Sequence, residues 1–299
     1  MRRSLVPTAL YPFEGKILDR SGLRYHYVDE GRGEPVVMLH GNPTWSFYYR
    51  RLITSLRDGY RVIVPDHIGM GLSDKPDDRR YTYRLASRID DLAALIDRLD
   101  LRQRLTLVMH DWGGMIGMAY ASRHPDRIAR LVLLNTAAFH LPASMHLPRS
   151  LRLVRDTMLG VLAVRGFNAF SKAAARIGCT RRPLSRELRR AYCAPYDGWA
   201  NRIATLRFVQ DIPLGPDDAS YALVSQVEAS LPLFRRTPVL ICWGEQDFVF
   251  TPQVLDLWLE RWPHAEVHRF SDCGHYVLED AADEIPGIVR AFLHAHPVH

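Results

Sequence analysis

The sequence predicts an α/β fold, a mostly parallel sheet flanked by helices and interrupted by one helical insertion. Two observations indicate it. Short, continuous apolar runs alternate with helical patterns through the first half of the chain, as expected for strands buried on both faces. Between about residues 139 and 216 this alternation stops, in a segment of helical patterns rich in Arg and Ala, and it resumes at residue 239.

The elements follow from periodicity. Alternating apolar and polar residues over 23–29, closed by a glycine turn, predict an antiparallel strand. The apolar runs predict buried strands over 36–39, 61–64, 105–109, 131–134 and 239–243, with a further strand over 267–270. Helices are predicted over 87–99, 113–123 and 284–294.

We therefore divide the chain into three parts. Residues 1–138 form the first part of the α/β core, 139–216 a helical cap inserted after the sixth strand, and 217–299 the second part of the core. An insertion at that point lies over the carboxyl ends of the strands, where such sheets bind ligands.

Composition excludes several classes of protein. Hydrophobic residues make up 47% and charged residues 24%, an ordinary globular balance. No apolar run reaches the ~18–20 residues of a membrane span, and Pro7 interrupts the N-terminus before a signal peptide could form. We therefore expect a cytoplasmic protein with no integral membrane segment.

The net charge of +6 comes mostly from scattered arginines, densest from Arg149 to Arg190, with no nucleic-acid motif. No nucleic-acid partner is expected. The four cysteines lack metal-ligand spacing, and no phosphate loop or dinucleotide fingerprint occurs. We expect no metal and no cofactor, and Asp66 is expected to fix its own loop.

Three polar residues follow predicted strands. Asp111 follows the strand over 105–109, Asp247 the strand over 239–243, and His275 the strand over 267–270. Because parallel strands end at one edge of a sheet, the three side chains should converge there. In chain order they match the nucleophile, acid and base of the α/β-hydrolase fold.

An aspartate in the nucleophile position favours attack on a saturated carbon. Gly113 and Gly114 allow the sharp strand-to-helix turn that exposes Asp111. A carboxylate with a pKa of ~3.9 is already ionised at neutral pH. We expect an alkyl ester on Asp111, with His275 activating water against it and Asp247 orienting the imidazole.

Two further residues provide donors beside the nucleophile. Asn42 lies in the loop after the first parallel strand, and Trp112 follows Asp111 directly. Their backbone N–H groups are expected to form an oxyanion hole. Their side-chain N–H groups carry no charge, so together they would bind a departing anion without neutralising Asp111.

These motifs resemble those of the haloalkane dehalogenases. The resemblance rests on His-Gly-Asn-Pro-Thr-Trp-Ser at 40–46, on 65–73, and on His-Asp-Trp-Gly-Gly at 110–114, and it extends over about residues 11–279. It implies that the nucleophile matches Asp111, the base His275, and the halide-binding pair Asn42 and Trp112.

Some members of the family carry the acid after the sixth strand. Residues 135–136 here are Asn-Thr, so Asp247 takes that role. This arrangement resembles the third dehalogenase subfamily, which is similar to the β-lactone decarboxylases of bacterial long-chain olefin synthesis. The stretches 66–78 and 201–213 look especially like the decarboxylases.

The first hypothesis is a hydrolase of the haloalkane dehalogenase type, in which Asp111 displaces halide and water activated by His275 frees an alcohol. The alternative is a cis-3-alkyl-4-alkyloxetan-2-one (β-lactone) decarboxylase that forms long-chain cis-olefins at the same site, beside partner enzymes of an olefin pathway.

An epoxide hydrolase, with an O–H donor among Tyr192, Tyr196 and Tyr221, is a further alternative. A non-catalytic receptor on this fold stays open. All of these bind a small hydrophobic molecule.

The insertion should also supply apolar pocket walls. A long channel would fit a lactone with two alkyl arms, and a small closed pocket a short haloalkane. The residues predicted to line it are Phe139, Phe167, Phe170, Trp199, Leu206 and Phe208.

Overall fold

The computed structural model describes residues 6–101, 103–142, 145 and 147–298. Its strands are β1 Gly15–Arg20, β2 Leu23–Glu30, β3 Glu34–Leu39, β4 Tyr60–Pro65, β5 Leu105–Asp111, β6 Ile128–Thr136, β7 Val239–Gly244 and β8 Glu266–Phe270. They form one sheet in the order β1-β2-β4-β3-β5-β6-β7-β8. β2 pairs antiparallel with β1 and β4, and the remaining pairs are parallel.

Helices cover both faces of this sheet. They are α1 Arg50–Leu56, α2 Leu85–Arg98, α3 Trp112–Arg123, α4 Arg149–Asp156, α5 Met158–Val161, α6 Ala169–Ile177, α7 Arg186–Cys193, α8 Ile203–Gln210, α9 Tyr221–Ser230, α10 Pro252–Arg261, α11 Val277–Asp280 and α12 Ile285–Ala295. A π-helical segment, Leu162–Gly166, continues α5. Separate apolar clusters fill the two faces, one including α2, α3 and α10 and the other α1 and α12.

The predicted fold class is confirmed. Each strand predicted from an apolar run is present, and the regular elements described between β6 and β7 are all helical. β1 was not predicted, because this edge strand is mostly exposed and has no apolar run. The division of the chain at 138/139 and 216/217 stays a prediction.

A membrane crossing needs ~20 apolar residues in one helix, and no helix in the described ranges meets that requirement.

Candidate active site

Asp111 lies on a sharp turn between β5 and α3. Its backbone has φ 52° and ψ −124°, a combination of angles that residues other than glycine rarely adopt. The helix packs closely behind this turn, since a β-carbon at Gly113 would overlap the Leu39 carbonyl oxygen and one at Gly114 would overlap the Thr136 hydroxyl. The two glycines therefore let α3 start directly after the strand and leave Asp111 at its carboxyl end.

The three residues predicted to converge lie together. His275 Nδ1 is 2.7 Å from Asp247 Oδ2, and its Nε2 is 3.7 Å from Asp111 Oδ2. All three side chains are buried. The imidazole thus lies between two carboxylates, one fixing its orientation and the other at the turn; the catalytic roles stay predictions.

Charge and burial set the protonation of this group. Burial raises the pKa of Asp111, while the charge of His275 and the backbone N–H groups of Asn42 and Trp112 act against that rise. Burial lowers the pKa of His275, but the charge and hydrogen bond of Asp247 and the charge of Asp111 outweigh it, so the pKa is raised above its ordinary value. The protonated form of His275 is therefore stabilised while Asp111 is ionised.

The two predicted backbone donors act on Asp111 itself. The Asn42 N–H donates to Asp111 Oδ1 at 2.7 Å, and the Trp112 N–H also donates to this carboxylate. Gly41 makes this approach possible, because a β-carbon there would overlap the Asp111 carboxylate. Both backbone N–H groups thus bind the Asp111 carboxylate, and their role as an oxyanion hole stays a prediction.

The side-chain donors differ in their partners. Asn42 Nδ2 donates to the Thr205 carbonyl oxygen of α8 at 3.0 Å, which leaves its second N–H for a ligand. The Trp112 indole N–H has no acceptor among the described residues, and its ring lies 5.4 Å from that of Phe208. A buried cation, Arg88, lies with its guanidinium 3.7 Å from the Phe208 ring and 5.7 Å from that of Trp112.

Arg88 is held by Asp211 beyond the end of α8. Its Nη1 donates to Asp211 Oδ2 at 3.0 Å, and the exposed Arg84 donates to the other oxygen at 3.1 Å. Ser220 also donates to this carboxylate, at 2.9 Å. Since Arg88 belongs to α2 in the core, this buried ion pair connects the core to the segment that carries Phe208.

The loop that carries Asn42 is fixed by buried Asp66. Asp66 accepts the backbone N–H groups of Ser46 at 2.7 Å and Leu72 at 2.8 Å, and lies 2.8 Å from His26 Nδ1. Burial raises the pKa of Asp66, but the hydrogen bond and charge of His26, together with His40, lower it to about 2. These bonds agree with the predicted loop-fixing role.

The end of β6 carries no carboxylate, and its asparagine has a structural role. Asn135 donates to the Gly244 carbonyl oxygen at 2.9 Å and accepts the Gly244 N–H at 2.8 Å. These bonds join β6 to the end of β7, three residues before Asp247. From the end of β7, Asp247 contacts His275, and its role as the catalytic acid stays a prediction.

The six predicted lining residues lie in different environments. Phe208 packs against Trp112, and Leu206 packs in a small cluster of the insertion beside Phe170. Phe139 packs on Trp258 at 4.8 Å and is part of the core.

Phe167 and Trp199 are exposed. Of the six, Phe208 alone has a ring contact with one of the predicted site residues within the described part of the chain.

Sequence reasoning missed two aromatic residues at the site. Phe250 stacks on His275 with a ring-centroid distance of 5.9 Å, and the Phe248 ring lies at 6.2 Å. Both follow Asp247 within three residues, so their position after β7 was a usable signal. They place an apolar wall beside the imidazole.

The tyrosines proposed for an epoxide reaction have other partners. The Tyr192 hydroxyl donates to Glu279, and the Tyr196 hydroxyl lies 3.4 Å from the Thr44 carbonyl oxygen. Tyr221 stacks on His140 at 4.0 Å. Among the residues that the structure describes, no contact favours these tyrosines as donors to a ring opened at Asp111.

The sheet order, the turn after β5 and the polar residues after β7 and β8 define the class of protein, an α/β hydrolase fold. The family model for that fold matches residues 34–282.

The chain is 59% identical over 284 residues to the cis-3-alkyl-4-alkyloxetan-2-one decarboxylase of Shewanella oneidensis, covering 95% of this chain and 89% of that protein. It is 48% identical over 296 residues to the same-named protein of Xanthomonas campestris pv. campestris, covering 96% and 98%.

A haloalkane dehalogenase has a similar structure. The crystal structure of DatA from Agrobacterium tumefaciens C58 superposes with a TM-score of 0.86 at 27% identity, covering 97% of this chain and 100% of that one. This chain belongs to the α/β-hydrolase fold family, among its haloalkane dehalogenase-like enzymes.

Proposed function

We propose that this protein is a β-lactone decarboxylase, which converts a cis-3-alkyl-4-alkyloxetan-2-one to a cis-alkene and carbon dioxide. The observation that carries the proposal is the identity of 59% and 48%, over nearly the whole chain, to two proteins of that name. The likeness to a haloalkane dehalogenase, at 27% identity, is more distant. The alternative hypothesis from the sequence is therefore preferred to the first one.

The first step opens the ring at its saturated carbon. The Asp111 carboxylate attacks C4, the C4–O bond breaks, and the ring oxygen leaves as part of a carboxylate that stays attached to C3. An alkyl ester forms on Asp111 with inversion at C4. In this step the second N–H of the Asn42 amide and the Trp112 indole N–H receive the new carboxylate. The backbone N–H groups of the same residues, which donate to the Asp111 carboxylate, bind the ester carbonyl oxygen.

The second step releases both products without water. The bond between C3 and the carboxylate breaks, its electrons form the C3–C4 double bond, and the C4–O bond to Asp111 breaks in turn. Carbon dioxide leaves and the Asp111 carboxylate is restored. Inversion in the first step followed by anti elimination in the second gives the cis-alkene from the cis-lactone.

The charge on His275 supports this route. The charges of Asp247 and Asp111 raise the pKa of His275 and so favour its protonated form while Asp111 is ionised. At 3.7 Å from Asp111, this cation stabilises the carboxylate that departs in the second step. Phe248 and Phe250 beside the ring provide an apolar surface for an alkyl arm.

The test offers purified protein a 1-bromoalkane and a cis-dialkyl β-lactone in parallel. Alkene with carbon dioxide, faster than bromide release, supports the proposal. Bromide and alcohol without alkene would instead indicate a haloalkane dehalogenase, and a β-hydroxy acid would indicate simple lactone hydrolysis. Asp111→Asn should abolish either activity, and full activity in that variant as purified would remove Asp111 from the mechanism.

A further inference from the structure

The arginine-rich part of the insertion is not used by the chemistry above. Residues 149–176 contain six basic side chains and one acidic side chain, Asp156. This stretch forms α4, α5, the π-helical segment and most of α6. Its strong positive charge needs an explanation of its own.

The same stretch exposes large apolar side chains. Met158 is 79% exposed, Leu159 69% and Phe167 66%, values far from those of a packed helix face. Together with other exposed apolar residues they form a set that we call the cap ridge. The cap ridge consists of Leu153, Met158, Leu159, Leu162, Phe167 and Trp199.

Local contacts connect members of the cap ridge. Met158 and Leu159 lie four and three residues before Leu162, so the three share one side of a continuous helical turn. A β-carbon built on Gly166 would lie 3.2 Å from Leu162 Cδ1 and 3.9 Å from Trp199 Cζ3, which places these two side chains beside each other. Contiguous apolar surface of this kind on a protein marks a contact site.

Several of the basic side chains near the ridge have no acidic partner. Within the described residues Arg149, Arg152 and Arg176 form no ion pair, and all three are exposed. Arg155, by contrast, pairs with Asp156 and Asp218, which neutralises the one acid of the stretch. The charge around the apolar ridge is therefore uncompensated and positive.

We propose that the cap ridge docks this protein on an anionic lipid surface. Apolar side chains that protrude from a basic helical segment insert between lipid headgroups, while the cations contact the anionic phosphates. Such insertion needs no matching shape, which suits a narrow ridge of highly exposed side chains; a protein partner would have to supply a complementary groove. The proposal rests on the surface alone and is independent of the reaction at Asp111.

The experiment is flotation of the full chain with vesicles of phosphatidylcholine, alone or with roughly one-third phosphatidylglycerol. We expect binding to the anionic vesicles that weakens as salt is added. The double variant Met158→Ser/Leu159→Ser should bind the anionic vesicles at least about tenfold more weakly than the wild type. Leu233→Ser is the matched control, since Leu233 is 61% exposed but lies outside the insertion.

The contribution of the positive charge is tested with the variant Arg149→Gln/Arg152→Gln. This variant should bind the anionic vesicles more weakly, and its binding should depend less on salt. Thermal unfolding checks that each variant is folded. No binding of the wild type to anionic vesicles, or equal binding by Met158→Ser/Leu159→Ser and Leu233→Ser, would overturn the proposal. Concentration-dependent dimerisation that the ridge variant abolishes would assign the ridge to a second copy of the chain and overturn it as well.

Discussion

Replacement of His275 by alanine separates the two reactions that this site supports. In haloalkane hydrolysis the ester on Asp111 waits for water, and a positioned general base contributes roughly 10²–10⁴-fold to such a step. In lactone decarboxylation the ester collapses as carbon dioxide leaves, so His275 provides only charge, from 3.7 Å. We expect His275→Ala to lower bromoalkane turnover by about 10²–10⁴-fold, and lactone turnover by about tenfold, the equivalent of one pKa unit of charge stabilisation.

The assay for this variant measures both reactions with the same protein. Bromide release should stop near one equivalent per enzyme, and mass spectrometry should find the alkyl group on Asp111. Alkene formation from the lactone is followed by gas chromatography, with Asp111→Asn as the inactive control. If His275→Ala reduces lactone turnover as severely as bromoalkane turnover, the water-free collapse of the ester is wrong.

The same variant tests the electrostatics of the nucleophile. The charge of His275 opposes the rise that burial causes in the pKa of Asp111, so its removal raises that pKa further. Activity requires the ionised carboxylate and falls as pH drops below its pKa. The acid limb of lactone turnover should therefore lie at higher pH in His275→Ala than in the wild type, and an unchanged limb would contradict the assignment.

Two further predictions concern stability, measured by urea unfolding. The pKa of Asp66 is lowered to about 2, so its carboxylate contributes roughly 2 kcal/mol that is complete above its unfolded-state pKa and lost as pH falls towards the folded one. Asp66→Asn should remove at least this amount at neutral pH, with a smaller difference from the wild type below pH ~4; a difference independent of pH would contradict it. Arg88→Met breaks a buried ion pair and should lower the free energy of unfolding by about 2–4 kcal/mol. We expect a smaller loss than for a pair without other partners, because Asp211 keeps other hydrogen-bond donors. Arg84→Met removes the exposed partner of the same carboxylate and should lower the free energy of unfolding by less than ~1 kcal/mol. Equal losses in the two variants would show that burial of the arginine does not determine how much its ion pair stabilises the protein.

Local sequence patterns predicted those parts of the fold whose cause is local. A strand buried on both faces needs a continuous apolar run, so β5 and β7 are readable from their residues alone. The turn at Asp111 is readable because only glycine fits at 113 and 114 beside the neighbouring strands. β1 has no such signature, since its stability comes from pairing with β2 rather than from burial.

Features that depend on distant contacts were beyond this reasoning. One N–H of the Asn42 side-chain amide donates to the carbonyl oxygen of Thr205, which is 163 positions away, and no local pattern encodes that contact. Phe139 and Phe167 look alike as apolar residues of the insertion, yet one packs in the core and the other is exposed. Composition predicts that most apolar side chains are buried. Which of them point into the core and which point into solvent depends on how the helices of the insertion pack.

One site supports two chemistries because the fate of the leaving group differs. A halide departs from the substrate, so the ester on Asp111 persists until water attacks it. A lactone keeps its leaving carboxylate on the neighbouring carbon, and loss of carbon dioxide from that group expels Asp111 without water. In the proposed roles, the uncharged side-chain N–H groups of Asn42 and Trp112 would bind either anion, and Asp111 would stay nucleophilic in both cases. The donors and the nucleophile therefore do not determine which product forms. The apolar walls determine it, because they select the substrate that binds.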